Sequence, residues 1–260
     1  MYTDSHCHLD FACFDDILDS LLLDCAQSDV NSFIVPSTTA ASWSKVVALP
    51  HRYQQISIAL GLHPYFLEQY EDSHLSLLEQ ILLNTSVVAV GEIGLDKWPN
   101  MPAYRLQEHV FIAQLELAQS HRLPVILHAR KSEDDLLKYI RQLRFTQGGI
   151  VHAFNGSLQQ AQQFVELGFV IGVGGTVTYP RAKKAHRVLR ALDDSDYVLE
   201  TDSPDMPLKG FQGLVNTPKN IPLVAECVAS LRDQSLEQIA HDTRVNLQRV
   251  LPNWHEVEVD

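Results

Sequence analysis

Apolar and β-branched residues recur along the chain in eight short runs, and between the runs apolar positions fall at helical spacing. The runs predict strands over Thr3–His8, Ser32–Ser37, Ile56–Gly61, Val87–Glu92, Pro124–His128, Gly149–His152, Phe169–Gly174 and Tyr197–Asp202. Amphipathic segments predict helices over Asp15–Ser28, His74–Leu83, Tyr104–His121, Asp134–Leu143 and Leu158–Leu167. Regular strand–helix alternation predicts a parallel sheet, because parallel neighbours are joined by crossovers and a helix is the usual crossover. Eight such repeats in a chain of 260 residues predict closure into a (β/α)8 TIM barrel of the α/β class, one domain over residues 1–260.

Local punctuation fits that frame. Ser157 is placed to cap a helix that opens at Leu158, and Gly168 stands where a helix C-terminal glycine belongs. Thr217-Pro218 offers a cap followed by proline in the first helical turn. Ser235-Leu236-Glu237-Gln238 has the form of a capping box opening an additional C-terminal helix to about Val250. The stretch Ser203–Asn216, after the eighth strand, carries glycines and prolines that bar regular structure.

Polar residues gather at the strand ends, where barrels of this kind place their chemistry. His6 and His8 end the first strand, Glu92 the fourth, His128 the fifth, His152 the sixth and Asp202 the eighth, while His63 follows the third. An isolated His-x-His is equally a solvated or core pair, but five of the twelve histidines fall at these ends. Strand parity predicts a shared inward face for Val88, Val90 and Glu92, for Ile126 and His128, for Ile150 and His152, and for Val198, Glu200 and Asp202. Carboxylates on an inward apolar face call for a cation. His6, His8, Glu92, His128, His152 and Asp202 are therefore the candidate metal ligands. The remaining histidines, His51, His74, His109, His121, His186, His241 and His255, are read as ordinary surface residues. Gly172-Val173-Gly174-Gly175 lacks the full dinucleotide fingerprint and reads instead as a strand end passing close to the site. Lys183-Lys184 reads as a solvated helix start.

Composition narrows the class. The chain is 45% hydrophobic and 20% charged, a profile of globular enzymes, and no apolar run is long enough to span a bilayer. With no apolar leader and four cysteines in no Cys-x-x-Cys spacing, the expectation is a cytoplasmic protein with reduced thiols. Thirty-two acidic against twenty basic residues give a formal charge of −12, which argues against broad non-specific binding to duplex nucleic acid. Local positive charge from bound metal remains compatible with a nuclease.

Six motifs in order along the chain carry a resemblance: Asp4-Ser5-His6-Cys7-His8-Leu9-Asp10, Gly61-Leu62-His63-Pro64, Gly91-Glu92-Ile93-Gly94-Leu95-Asp96, His128-Ala129-Arg130, His152-Ala153-Phe154-Asn155-Gly156 and Glu200-Thr201-Asp202-Ser203-Pro204. In these the chain resembles the TatD family of metal-dependent deoxyribonucleases, within the amidohydrolase-like barrels. It departs from the family pattern at Ala153 and Asn155, at Asp205 where an aromatic residue is usual, and at Val215-Asn216-Thr217-Pro218 where an Arg-Asn-Glu-Pro run is usual.

The resemblance implies two divalent ions, one held by His6, His8 and Asp202, the other by His128 and His152, with Glu92 bridging. It implies attack by a water deprotonated between them, with Asp202 orienting or deprotonating that water. His63 and Arg130 would grip phosphate oxygens. Four imidazoles favour zinc or manganese, whereas the family suggests magnesium. The expected substrate is a phosphodiester, most simply short or single-stranded DNA ends, because Val215 and Asp205 remove a cation and a stacking ring that would hold a longer duplex. No membrane and no obligate protein partner are expected. Hydrolysis of an amide, ester or lactone of a small metabolite is the alternative reaction; a non-catalytic metal-binding scaffold is the alternative class, with a nicotinamide oxidoreductase more remote.

Overall fold

The computed structural model describes residues 1–255; the last five positions of the expected 1–260 unit lie outside them. Eight parallel strands follow one another around a TIM barrel in chain order. They are β1 (Tyr2–Asp4), β2 (Val30–Pro36), β3 (Ile56–Leu60), β4 (Ala89–Asp96), β5 (Val125–Arg130), β6 (Gly149–Val151), β7 (Phe169–Val173) and β8 (Tyr197–Leu199). Between β8 and β1 the barrel is drawn together beyond the strand ends: Ser5 N donates to Leu199 O, Asp202 N to His6 O and His8 N to Ser203 O, at 2.9, 2.9 and 2.8 Å. His6, His8, Glu200 and Asp202 thus lie just past their strands rather than within them.

Nine α-helices are found among the described residues: α1 (Leu18–Gln27), α2 (Trp43–Arg52), α3 (Ser73–Asn84), α4 (Tyr104–Ser120), α5 (Glu133–Gln142), α6 (Leu158–Glu166), α7 (Lys183–Ala191), α8 (Ile221–Arg232) and α9 (Leu236–Val250). Helix α6 opens with a complete capping box between Ser157 and Gln160, and Gly168 beyond its end takes a left-handed φ of 87°. At α9 the box is half made. Ser235 accepts from Gln238 N, but the Gln238 amide turns to Asp242. Thr217 makes no side-chain cap; its Pro218 opens a short 3-10 turn leading into α8. No helix of the described residues is long and apolar enough to cross a membrane.

Apolar side chains fall into two layers. The larger lies between sheet and helices and takes the outward residues of the strands, such as Phe33, Val35, Leu127, Val151 and Ile171. The smaller fills the barrel itself with Ile34, Ala59, Ala89, Ile126, Ile150, Val170 and Val198 from β2 to β8. The additional C-terminal helix completes that inner layer, since Leu247, Val250, Leu251 and Trp254 pack into it. Asn246 donates to Tyr197 O at 2.9 Å and Asn253 to Val87 O at 3.3 Å, tying this segment to residues at the N-terminal starts of the strands. One mouth of the barrel is plugged and the other stays open.

The parity expected for β4 fails at one place. Val90 packs outward with the helix layer, and Ala89 faces in beside Val88. The ladder with β5 shifts register between Val90 and Ile93, and the Gly91–Glu92 peptide is cis. Glu92 therefore reaches the open mouth across an irregularity and not by simple alternation. A Cβ on Gly91 would stand 2.7 Å from Cβ of Ile126, so only glycine lets the two strands approach there.

Candidate metal centre

The six predicted ligands converge at the open mouth. Glu92 is buried at their centre, and its two oxygens face different partners. Oε2 lies 3.1 Å from His6 Nε2 and 3.5 Å from His8 Nε2; Oε1 lies 3.0 Å from His128 Nδ1 and 2.7 Å from His152 Nε2. Asp202 belongs with the first pair, its Oδ1 3.6 Å from His6 and 3.5 Å from His8. His63, expected at the substrate, also reaches Glu92 Oε1, at 3.2 Å.

Ring partners fix which nitrogen three of the histidines offer. His8 Nδ1 faces the Pro36 carbonyl at 3.2 Å and can meet it only as a donor, so its Nε2 lone pair points into the cluster. His128 Nε2 faces Asp96 Oδ2 at 3.1 Å, which leaves Nδ1 as the inward acceptor. His63 is the reverse: its Nδ1 accepts from Tyr65 N at 3.0 Å, so Nε2 carries the proton and acts as a donor. His63 could complete a ligand group with Glu92 and His128 by distance alone. Its proton argues against that and suits a contact to an anionic oxygen.

Electrostatics supports a cation here. Burial alone would raise Glu92, but His152, His63 and His6 hold its carboxyl well below the ordinary value. Asp202 is lowered as well, burial being outweighed by His8 and His152. In return His8 is pushed well above its ordinary value and His152 up to about 9, against the burial that lowers them, while burial takes His6 down to about 4. In the bare protein the carboxylate charge is met by protons on imidazoles, and a divalent ion displaces such protons. Imidazole nitrogens stand only 3.3 Å apart in the pairs His6–His8 and His128–His152, close enough to share a proton or an ion. Four imidazoles with two carboxylates fit a borderline transition ion.

Around this cluster stand residues that position it. Asp96, buried, orients His128 while its Oδ1 accepts from Trp98 N at 2.7 Å. Asp4 accepts from His6 N and Thr201 N and joins the two ligand-bearing segments; burial raises its carboxyl to about 7. Glu200 does not join the ligands, contrary to its expected pairing with Asp202 under one cation. It sits deeper, 4.0 Å from His152 Nδ1, with Oε1 accepting from Ala153 N, and burial raises it to about 8. Gly172 makes that depth available, since a Cβ there would come within 2.3 Å of the Glu200 carboxylate. The Gly172–Gly175 run is thus a close approach of backbone to the site, as the sequence suggests. Asn216 shapes the loop after β8: its amide donates to the carbonyls of Thr201, Asp205 and Met206, and its oxygen accepts from Thr217 N and Asn220.

The cavity over the centre measures about 600 Å³. Phe11, Tyr65 and Phe66 form one side, from the segments after β1 and β3; Tyr65 is 60% exposed. Arg130 lines the other side after β5, its guanidinium 3.8 Å over the Trp98 ring, where Lys131 also lies at 5.1 Å. Asp205 leaves its position without an aromatic ring, yet the mouth has an aromatic wall in Phe11, Tyr65 and Phe66. Sequence reasoning assigned no role to Asp96, Asn216 or that wall; Asp96 carried a signal as the last residue of the Gly91–Asp96 motif, and Asn216 as the asparagine kept from the Arg-Asn-Glu-Pro run.

A (β/α)8 barrel with this histidine–carboxylate cluster at one mouth defines a metal-dependent hydrolase. The family model described as TatD related DNase matches residues 3–252, and the chain belongs to the TatD family. It is 44% identical over 241 residues to the metal-dependent hydrolase YjjV of Escherichia coli K12, covering 92% of this chain and 93% of the relative. It is 37% identical to a metal-dependent hydrolase of Haemophilus influenzae, with 92% and 94% covered. The solved structure of the Escherichia coli TatD homologue YjjV superposes with a TM-score of 0.94 at 43% identity, over 96% of this chain and 98% of that one. A TatD family hydrolase from Entamoeba histolytica shares the fold, at a TM-score of 0.83 and 22% identity over 96% and 97% of the chains.

Proposed function

We propose that the protein is a phosphodiesterase of deoxyribonuclease type acting on short or single-stranded DNA ends. The observation that carries the reading is the division of Glu92, one oxygen toward His6 and His8 and the other toward His128 and His152. In it His6, His8 and Asp202 would hold one divalent ion, His128 and His152 a second, and Glu92 both; zinc or manganese suits these donors, and magnesium follows from the family. Such ions supply Lewis acidity to a phosphoryl oxygen and stabilise negative charge in the transition state.

The chain's own groups do the rest. Asp202, held low and 16% exposed, is the more accessible of the two cluster carboxylates that line the cavity, and it takes the proton of the attacking water. His63 Nε2–H donates to a non-bridging phosphate oxygen. Arg130, anchored on Trp98 with its fork free of any carboxylate among the described residues, pairs with another. Asp96 and the Pro36 carbonyl keep His128 and His8 in the tautomers that aim lone pairs inward.

The test is elemental analysis of the purified protein, followed by assays of a phosphodiester, a carboxylic ester, an amide and a lactone in the same metal. Preference for the phosphodiester, with loss of at least about a hundredfold in Asp202→Asn, is the expected result. Preference for ester, amide or lactone would move the protein to the other hydrolase chemistry. Metal content retained in a His6→Ala, His8→Ala double variant would refute the ligand set.

A further inference from the structure

The cavity over the metal centre continues past Asn155 and Thr176 into a groove of about 370 Å³, walled by Tyr179, Arg181 and Lys184. It lies over the segments that follow β6 and β7, beside the wall that carries Arg130. Arg181 is exposed and rests its guanidinium 5.4 Å from the centre of the Tyr179 ring, which leaves the fork open to the groove. Lys184 donates to the Asn155 carbonyl at 2.6 Å and so leans toward the site while keeping two N–H groups to spend elsewhere. Neither cation meets a carboxylate among the described residues. Five other cations do meet one: Lys45 with Asp15, Arg52 with Asp19, Lys97 with Asp135, Lys219 with Asp24 and Arg232 with Asp194. The groove shares Asn155 and Thr176 with the cavity over the metal centre, so these two cations flank a chain that leaves the centre on this side.

We propose that Arg181 and Lys184 form a second phosphate subsite, taking the phosphate next along a single strand from the one at the metal centre. The proposal rests on the phosphodiesterase reading above. A forked guanidinium and an ammonium provide charge-assisted donors for one non-bridging phosphate. Thr176 and Asn155, at the join of the two cavities, are short enough to let a sugar–phosphate backbone pass. This groove lies on the β6–β7 side of the centre, so chain length should matter on that side of the scissile bond.

The test compares the wild type with an Arg181→Ala, Lys184→Ala double variant; both side chains are exposed, so the fold does not depend on them. Fluorescence anisotropy of a labelled five-nucleotide single strand is read across a salt series. Alongside, kcat/KM on that strand is divided by kcat/KM on bis(p-nitrophenyl) phosphate, which is too small to reach the groove. We expect affinity to fall by about five- to tenfold, the log–log salt slope to become shallower by about 0.7, and the ratio to fall by about tenfold. The charge-conserving pair Arg181→Lys with Lys184→Arg should restore most of the slope. Equal affinity and slope, or an unchanged ratio, would overturn the subsite. A wild type that binds the strand through these two residues yet hydrolyses neither phosphodiester would overturn the proposed function and leave the subsite standing.

Discussion

Asp96→Asn is the sharpest probe of how the second ligand group is held. Asp96 is 3% exposed and accepts with both oxygens, Oδ1 from Trp98 N at 2.7 Å and Oδ2 from His128 Nε2 at 3.1 Å. Asparagine has one acceptor and cannot serve both donors. If its oxygen keeps Trp98 N, its NH2 faces His128 Nε2, and the imidazole must move its proton to Nδ1, the atom directed at Glu92. If its oxygen turns to His128, the NH2 opposes a backbone N–H. The first arrangement blocks a ligand lone pair, and the second costs about 1–3 kcal/mol for an unpaired donor. Loss of an orienting carboxylate behind a ligating histidine lowers metal affinity by about 10–100-fold, equivalent to about 1.4–2.7 kcal/mol. Titration calorimetry with zinc and with manganese should therefore show one class of site weakened by that factor and the other, at His6 and His8, retained. The folded state should survive, with a modest fall in its unfolding midpoint. Two unchanged affinities would refute both the tautomer assigned to His128 and its place among the ligands.

Three further outcomes follow from particular contacts. Asn216→Ala removes five hydrogen bonds in the loop after β8 and leaves buried carbonyls unmet; a loss of about 3–4 kcal/mol is expected, seen as a lower midpoint in urea, and a midpoint equal to the wild type would deny the loop this anchor. Tyr65→Ala with Phe66→Ala should weaken single-strand binding by about 1–3 kcal/mol per stacked base while metal content stays constant, and unaltered anisotropy would remove the aromatic wall from substrate binding. Asp135 is pulled below the ordinary carboxylate value, burial being outweighed by bonds from Lys97 and Tyr104. Its contribution to stability is present above the unfolded-state value near 3.9 and fades as pH drops through the lower folded value. The stability gap between wild type and Asp135→Asn should accordingly close below about pH 4, and a gap that stays constant from pH 6 to pH 3 would contradict the pairing.

What could be read in advance was set by period and position. Strand-end placement located His6, His8, His128, His152 and Asp202 because each stands at or within a few residues of its strand's end, and for Ile126, Ile150 and Val198 parity held. Glu92 was found for the wrong reason. Its strand breaks register after Val90, so alternation predicted an inward Val90 that in fact packs outward, while the motif Gly91–Asp96 located the carboxylate regardless. Tautomers and partner sharing lie beyond any one-dimensional pattern: His63 as donor depends on Tyr65 N, and Asp96 as orienter depends on the pairing of Gly94 with His128 across β4 and β5. Glu200 looked like a second inward carboxylate requiring a cation, and only three-dimensional depth shows that burial lets it hold a proton instead. The role of the last helix was equally hidden. The expected helix to about Val250 gives no sign of where it docks, and that Leu247 and Val250, with Leu251 and Trp254 beyond it, plug the barrel is a property of that docking.

The sequence's charge and its expected chemistry pull in opposite directions, and the fold resolves them by location. Acidic residues outnumber basic ones by twelve, which disfavours a duplex laid along the surface. Five cations on the outer helices and loops are matched by carboxylates and contribute little net field. Arg130 and Lys131 on Trp98, and Arg181 and Lys184 in the adjoining groove, form no ion pair among the described residues; Arg130 ends β5, Lys131 follows it, and the other two follow β7 at the open mouth. Across from them, after β1 and β3, stand Phe11, Tyr65 and Phe66. One half of the mouth thus offers charge to a backbone and the other offers ring faces to bases, with the metal centre between. A flexible strand can satisfy both halves at once by splaying its bases away from its phosphates; a duplex, whose bases are already stacked and paired, cannot. On the proposed function, a preference for single-stranded ends would come from the geometry of the mouth together with the −12 charge, and the missing arginine at Val215 and missing aromatic at Asp205 need carry little of it.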